Sequence, residues 1–168
     1  MFRRTLRTMA AATAIVASAM LVPATVSAAA EDNAPGSARD VIGPPIGVWD
    51  GKISFPDGAV DIKLSFRLNG TLCLIAPPPD PGGGIEGAGR WRLTDPNSFN
   101  FNGKERYFDG SGATTGSLTF DMNADYQGLT GFVAGGTATL FDAQGNNLGT
   151  IPTTSRFKRI SLVPVNCS

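Results

Sequence analysis

The stretch Ala59-Val60-Asp61-Ile62-Lys63-Leu64-Ser65-Phe66-Arg67-Leu68 alternates apolar and polar side chains. The apolar side chains from Val60 to Leu68 share one face, and the opposite face carries Asp61, Lys63 and Arg67. Alternation with a period of two over ten residues predicts a β-strand with one buried and one solvated face.

The segment before this stretch also reads as a strand. Residues 48–55 place Trp49, Ile53 and Phe55 on one side, with polar residues between them, and Pro56-Asp57-Gly58 offers a tight turn. The two strands should therefore form a hairpin whose apolar faces point the same way.

The next turn, Leu68-Asn69-Gly70, allows two registers. A two-residue Asn-Gly loop would turn the apolar side chains of the third strand outward, whereas a three-residue loop with Gly70 in the left-handed conformation pairs Arg67 with Thr71. The second register buries four large side chains together, so we expect it. These side chains are Leu64, Phe66, Leu72 and Leu74.

Turn signals recur along the remaining chain and predict further strands. The expected strands lie around residues 89–94, 98–108, 116–123, 129–141 and 148–160. We therefore predict an all-β fold, a single antiparallel up-and-down β-barrel of about eight strands, whose interior is its natural ligand site. Glycines at 131, 135 and 136 suggest bulges or sharp curvature within one strand.

Residues 77–89 contain four prolines and five glycines, with Ile85 as the one large apolar side chain. This composition predicts the one long loop of the barrel. A long loop in a compact barrel suggests a function, so we expect residues 77–89 to form a lid in which Ile85 folds over the mouth.

The N-terminal segment reads as an export signal. Arg3, Arg4 and Arg7 precede an apolar run from Met9 to Val22, and Val26-Ser27-Ala28 supplies the small residues of a cleavage site. We predict a secretory signal peptide at 1–28, a flexible Pro- and Ala-rich tether at 29–45 and the barrel domain at 46–168. The protein should be secreted, with no membrane insertion after cleavage.

Charge argues against nucleic acid as a partner. The chain has 14 basic and 14 acidic residues, and removal of the three signal arginines leaves 11 − 14 = −3. A mildly acidic surface does not attract polyanions.

Two cysteines, Cys73 and Cys167, remain in the predicted mature chain. An even number of cysteines in an exported protein predicts a disulfide. The bridge would tie the C-terminal tail to the third strand.

The chain has no histidine, which excludes Ser-His-Asp and Cys-His mechanisms and histidine metal sites. We expect no metal and no cofactor. Acid–base chemistry would rest on Glu105 or Tyr107, with Glu105 facing inward if no bulge intervenes at Gly103. Because glutamate is rarely buried, an exposed Glu105 paired with a neighbouring base is the more frequent outcome.

The chain resembles the calycin superfamily of lipocalins, fatty-acid-binding proteins and avidins. Gly47-Val48-Trp49 on the first strand, the eight-strand meander and a late basic residue, Arg156 or Arg159, carry the resemblance. It implies that Trp49 plugs one end of the barrel beneath one of these arginines. The chain is also similar in length and layout to allene-oxide-cyclase-like and dirigent-like barrels, which bind or cyclise apolar small molecules.

Three functions are compatible with such a barrel. The leading hypothesis is binding of a small apolar ligand, and the alternatives are a cofactor-free cyclase or isomerase and an extracellular interaction module with a filled interior. An apolar void without a polar group would favour the binder, a void with an inward carboxylate the enzyme, and no void the module. The sequence does not predict an oligomeric state. The expected ligand wall consists of Trp91, Phe99, Phe101, Phe120 and Met122, with Ile85 in the lid.

Overall fold

A computed structural model describes residues 43–166, which form a closed barrel of eight antiparallel strands in sequence order. This confirms the predicted fold class. The strands are β1 (Gly47–Phe55), β2 (Gly58–Phe66), β3 (Thr71–Leu74), β4 (Gly83–Asp95), β5 (Ser98–Asp109), β6 (Thr114–Tyr126), β7 (Gly131–Asp142) and β8 (Asn147–Ser161). The signal peptide and residues 29–42 of the tether lie outside the described residues.

The register of the β2–β3 hairpin is the predicted one. The Arg67 amide donates a hydrogen bond to the Thr71 carbonyl at 2.9 Å, and Gly70 has a φ of 80°. Phe66 pairs with Leu72 and Leu64 with Leu74. The choice of register by burial of the apolar face is therefore confirmed.

The prediction of a long loop over residues 77–89 is wrong for its second half. β4 begins at Gly83, and Gly83 to Gly89 pair in register with β5. A Cβ on Gly83 would lie 1.9 Å from the Phe108 carbonyl oxygen, and one on Gly89 would lie 2.1 Å from that of Asn102. These glycines therefore allow two strands to approach closely and do not form a flexible loop. The β3–β4 connection consists of residues 75–82 only.

The glycines of β7 do not produce the expected bulge. Pairing with β6 runs without a shift from Phe132 to Asp142, and the shift against β8 lies between Leu140 and Phe141. A Cβ on Gly136 would lie 2.0 Å from the Asp121 carbonyl oxygen, so this glycine too allows close strand approach.

The barrel has two unlike ends. We call the end that carries the start of β1 and the end of β8 the plugged end, because its interior is filled with aromatic side chains. The other end carries the β1–β2, β3–β4, β5–β6 and β7–β8 connections, and we call it the open end.

A gap in the wall lies at the open end, between β2 and β4. β3 has only four residues, and it pairs with β2 from Leu64 to Phe66 and with β4 from Ala88 to Arg90. The Ile75 amide adds one bond to the Lys63 carbonyl at 2.8 Å. Within residues 43–166, neither ladder continues beyond these points toward the open end. The 75–82 connection lies along this break, and the Asp80 amide donates to the Gly83 carbonyl at 2.9 Å.

The C-terminal tail returns to the outside of β2. The Val165 amide donates to the Ser65 hydroxyl at 3.0 Å, and that hydroxyl donates to the Val165 carbonyl at 3.1 Å. Ser65 pairs with Cys73, which is buried. The tail therefore runs beside β3 two residues before Cys167. Because Cys167 lies outside the described residues, the bridge stays a prediction.

Candidate functional site

Trp49 fills the plugged end. Its side chain is fully buried, and its indole Nε1 donates a hydrogen bond to the Pro45 carbonyl at 2.7 Å. The Arg159 guanidinium lies 4.4 Å from the Trp49 ring centre, a cation–π contact. Arg156 is exposed on the outer face. Of the two arginines implied by the calycin resemblance, Arg159 therefore occupies the position over the tryptophan.

The N-terminal residues just before β1 close the plugged end. The Tyr126 hydroxyl donates to the Gly43 carbonyl at 3.0 Å, and Pro45 is fully buried. The sequence assigned these residues to the tether, whereas their contacts place them against the barrel.

Two of the expected ligand-wall residues belong to the plugged end. Phe99 is fully buried and packs against Phe66 and Phe132, with ring centres 5.7 and 5.0 Å away. Trp91 packs at the margin of this aromatic cluster, and its indole donates to the Arg67 carbonyl at 2.8 Å. Neither residue lines the cavity described next.

A cavity of about 30 Å³ lies between the aromatic cluster and the open end. Three expected wall residues, Phe101, Phe120 and Met122, line it. The remaining lining residues are Ile53, Phe55, Ile62, Leu64, Glu105, Leu118, Ala138, Thr153 and Ser155. The interior is therefore neither fully packed nor widely hollow.

Glu105 faces this cavity. Gly103 pairs regularly with Gly89 and Phe120, so no bulge intervenes and Glu105 lies on the inward face of β5. The expectation of an exposed carboxylate paired with a base is wrong, because Glu105 is only 7% exposed. The cations beside it in sequence, Lys104 and Arg106, lie on the outer face, where Arg106 pairs with Glu86 at 2.6 Å.

Burial raises the pKa of the Glu105 carboxyl, and a hydrogen bond from Tyr107 opposes part of that rise. The Tyr107 hydroxyl donates to Glu105 Oε2 at 3.2 Å. Burial, together with the charge of Glu105, raises the pKa of Tyr107. The two candidate acid–base residues are therefore neighbours, and Glu105 is the one enclosed in the cavity.

Two hydroxyls on β8 line the same cavity. Thr153 is 4% and Ser155 7% exposed, and neither side-chain oxygen has a hydrogen-bond partner among the described residues. A buried hydroxyl without a partner costs on the order of 1–3 kcal/mol. Three polar groups, one on β5 and two on β8, thus surround an otherwise apolar space.

An open groove of about 660 Å³ adjoins the cavity at the gap between β2 and β4. Ile62 lines both spaces, and Tyr107 extends from the groove to Glu105. Ile85 lines the groove, but as a β4 residue paired with Tyr107 rather than as part of a lid. The apolar residues of the groove are Val60, Ile62, Leu74, Ile75, Ala76, Pro77 and Ile85.

Comparison with known proteins gives a fold likeness alone. No family model matches the chain, and no curated protein matches it. The solved structure of EF1p2_mFAP2b bound to DFHBI is similar at 15% identity and a TM-score of 0.46, over 68% of this chain and 92% of that chain. A likeness at this level carries no argument about function, and the calycin resemblance remains one of pattern.

The sequence contained a signal for the two β8 hydroxyls. Phe157 is buried, and Thr153 and Ser155 share its parity, whereas Thr154 and Arg156 are exposed. Parity counted back from Phe157 would therefore have placed both hydroxyls inside.

Among residues 43–166 there is no group of His, Cys, Asp or Glu arranged to hold a metal ion, and no helix long and apolar enough to cross a membrane.

Glu105→Gln should make the stability of the barrel less dependent on pH. Below the ordinary carboxyl pKa of 4.5, Glu105 is protonated in both the folded and the unfolded chain, so burial of its charge costs nothing. As the pH rises through the raised pKa of the folded state, ionisation inside the barrel lowers stability. We expect the variant to match the parent at pH 4 and to exceed it by about 0.5–2 kcal/mol at pH 8.

Denaturant titrations at both pH values measure this difference. Glu86→Gln is the matched control, because the Glu86 carboxylate is exposed and lies on the outer face. An equal effect of Glu105→Gln at pH 4 and pH 8 would show that the carboxyl is not titrating in a buried site.

Proposed function

We propose that this barrel binds a small, largely apolar molecule at its open end, with the polar group of that molecule held by Glu105, Thr153 and Ser155. The proposal rests on the two buried β8 hydroxyls, which lie in a mostly apolar cavity and have no hydrogen-bond partner within residues 43–166. Ligand sites combine a mostly apolar wall with a few convergent polar groups. A ligand that hydrogen-bonds these hydroxyls removes their desolvation cost.

The sizes of the two spaces suggest how such a molecule lies. The cavity holds a water molecule or one small polar group. The adjoining groove is far larger and is lined mostly by apolar side chains, among them Ile62, Leu74 and Ile85. The polar group would enter the cavity, while the apolar body would occupy the groove. The export predicted from residues 1–28 would place this binding outside the cell.

Filling the cavity should weaken binding. Ala138 is buried on the cavity wall, and Ala138→Leu adds three carbon atoms to that wall. The probe is N-phenyl-1-naphthylamine, a neutral apolar fluorophore whose emission rises in an apolar site. We expect the parent to bind it and Ala138→Leu to bind it at least tenfold more weakly, a loss on the order of 1.4 kcal/mol or more.

Ala59→Leu is the matched control, since it makes the same substitution at an exposed position of β2. Overpacking at Ala138 costs on the order of 1–3 kcal/mol, so thermal melting must show that both variants remain folded. Failure of the parent to bind the probe, or equal binding by all three proteins, would overturn the proposed binding function.

A second function, cofactor-free acid–base catalysis, is favoured by the inward carboxylate itself. Glu105 is buried, burial raises its pKa above that of an ordinary carboxyl, and it contacts Tyr107. Enzymes raise the pKa of carboxylates that act as general acids or bases in the same way. Acid–base catalysis by Glu105 gives no role to the two buried β8 hydroxyls, and for this reason binding ranks first. The two functions differ in the fate of the bound molecule, which mass spectrometry would find unchanged or isomerised.

A further inference from the structure

We infer that the cavity recognises a primary amine carried on an apolar body. This inference rests on the proposed binding function and specifies the chemical class of its ligand. It depends on the hydrogen-bonding inventory of the cavity, the absence of cations from its wall, and the size difference between cavity and groove.

The first step is the count of acceptors. An alkylammonium group has three N–H donors and no acceptor. The cavity presents three oxygen-bearing groups, the Glu105 carboxylate and the Thr153 and Ser155 hydroxyls. In the part of the chain that the structure describes, neither hydroxyl oxygen has a hydrogen-bond partner. Tyr107 donates to one carboxylate oxygen, Oε2. Glu105 Oε1 and the two hydroxyl oxygens thus provide three acceptors, one for each N–H of the ammonium group.

The second step is charge. Glu105 is the one ionisable group on the cavity wall, and no lysine or arginine lines the cavity among the described residues. The nearby charges on β1 and β2 point outward and pair with one another, Lys52 with Asp61 at 3.1 Å and Lys63 with Asp50 at 3.9 Å. Arg159 lies over Trp49 at the plugged end. A carboxylate ligand would meet Glu105 with no compensating cation, whereas an ammonium neutralises it.

The third step is shape. The cavity accommodates a group the size of a water molecule, and an ammonium group is of that size. The groove that adjoins it at Ile62 is open at the gap between β2 and β4, and seven of its eleven lining residues are apolar. The other four are Asp50, Asp61, Lys63 and Tyr107. A linear or aryl alkylamine fits this arrangement with its nitrogen in the cavity and its carbon chain in the groove.

The experiment compares three six-carbon probes that differ in one end group: n-hexylamine, 1-hexanol and hexanoate. Each is titrated against the protein with bound N-phenyl-1-naphthylamine at pH 8, and displacement gives the relative affinity. We expect hexylamine to bind at least tenfold more tightly than hexanol, and hexanoate to bind most weakly. Glu105→Gln should remove the preference for the amine and leave hexanol within about threefold of its parent affinity.

Glu86→Gln controls for surface charge, because it removes one exposed carboxylate from the outer face and should leave the amine preference unchanged. Equal affinities for amine and alcohol, or an amine preference that survives Glu105→Gln, would overturn the inference even if the fluorophore binds inside the barrel. Failure of the fluorophore itself to bind would instead overturn the proposed binding function, and the amine inference with it.

Discussion

Cys73→Ala is expected to lower the free energy of unfolding by about 4–5 kcal/mol, because the predicted bridge to Cys167 closes a loop on the order of 100 residues in the chain-entropy model. The described contacts support the pairing: Ser65, which pairs with Cys73, exchanges two hydrogen bonds with Val165. Urea titration of the oxidised protein measures the loss.

Cys73 is itself buried, so its replacement also removes packing. Cys167→Ala and the double variant separate the two contributions. If the bridge exists, Cys167→Ala alone destabilises strongly, the double variant loses little more than Cys73→Ala, and a reductant affects the parent alone. If Cys167→Ala changes nothing and the parent is insensitive to reductant, the two cysteines are not paired.

The fold could be predicted because most of its strands show the alternation expected of a sheet with one buried face. The charged outward residues and apolar inward residues of β2 determine its parity, and the choice between two hairpin registers followed from the burial of four side chains. Turn residues then separated the remaining strands. None of these inferences required long-range information.

β4 was predicted only in part because glycine has no side chain that could show which face of a strand is buried. Gly83, Gly84, Gly87 and Gly89 follow a proline-rich segment, and their composition is typical of a loop. In the barrel, Gly83 and Gly89 instead allow β5 to approach closely. Such an approach depends on the partner strand, which a local reading of composition does not include.

The site was predicted in part for a related reason. Aromatic residues on inward faces could be recognised, but parity does not tell where along the barrel axis each lies. Phe99 therefore fell in the plugged end and Phe101 at the cavity, although they are two residues apart on β5. Glu105 was identified by parity alone, and its burial depended on the absence of a bulge at Gly103.

Trp49→Ala is expected to lower the free energy of unfolding by about 3–5 kcal/mol, the range for a large aromatic truncation in a core. Three contacts are lost together. The ring packs on Phe132 at 4.7 Å between centres, the indole donates to the Pro45 carbonyl, and Arg159 lies over the ring. The Pro45 carbonyl loses its donor, and the buried Arg159 Nε already has no hydrogen-bond partner among the residues that the structure describes. The midpoint of denaturant unfolding measures the loss.

Trp91→Ala is the matched control, because it truncates the other tryptophan at the margin of the same aromatic cluster, where the side chain is only half-buried. The free energy of unfolding should fall by clearly less for Trp91→Ala than for Trp49→Ala, because folding buries less apolar area of the Trp91 side chain. The loss for Trp49→Phe should lie between those for Trp91→Ala and Trp49→Ala, because phenylalanine keeps an apolar ring but removes the N–H donor. A Trp49→Ala midpoint close to that of the parent, or equal losses at Trp49 and Trp91, would remove the plug role that the calycin resemblance implies, because that role requires the tryptophan beneath the arginine to stabilise the closed end.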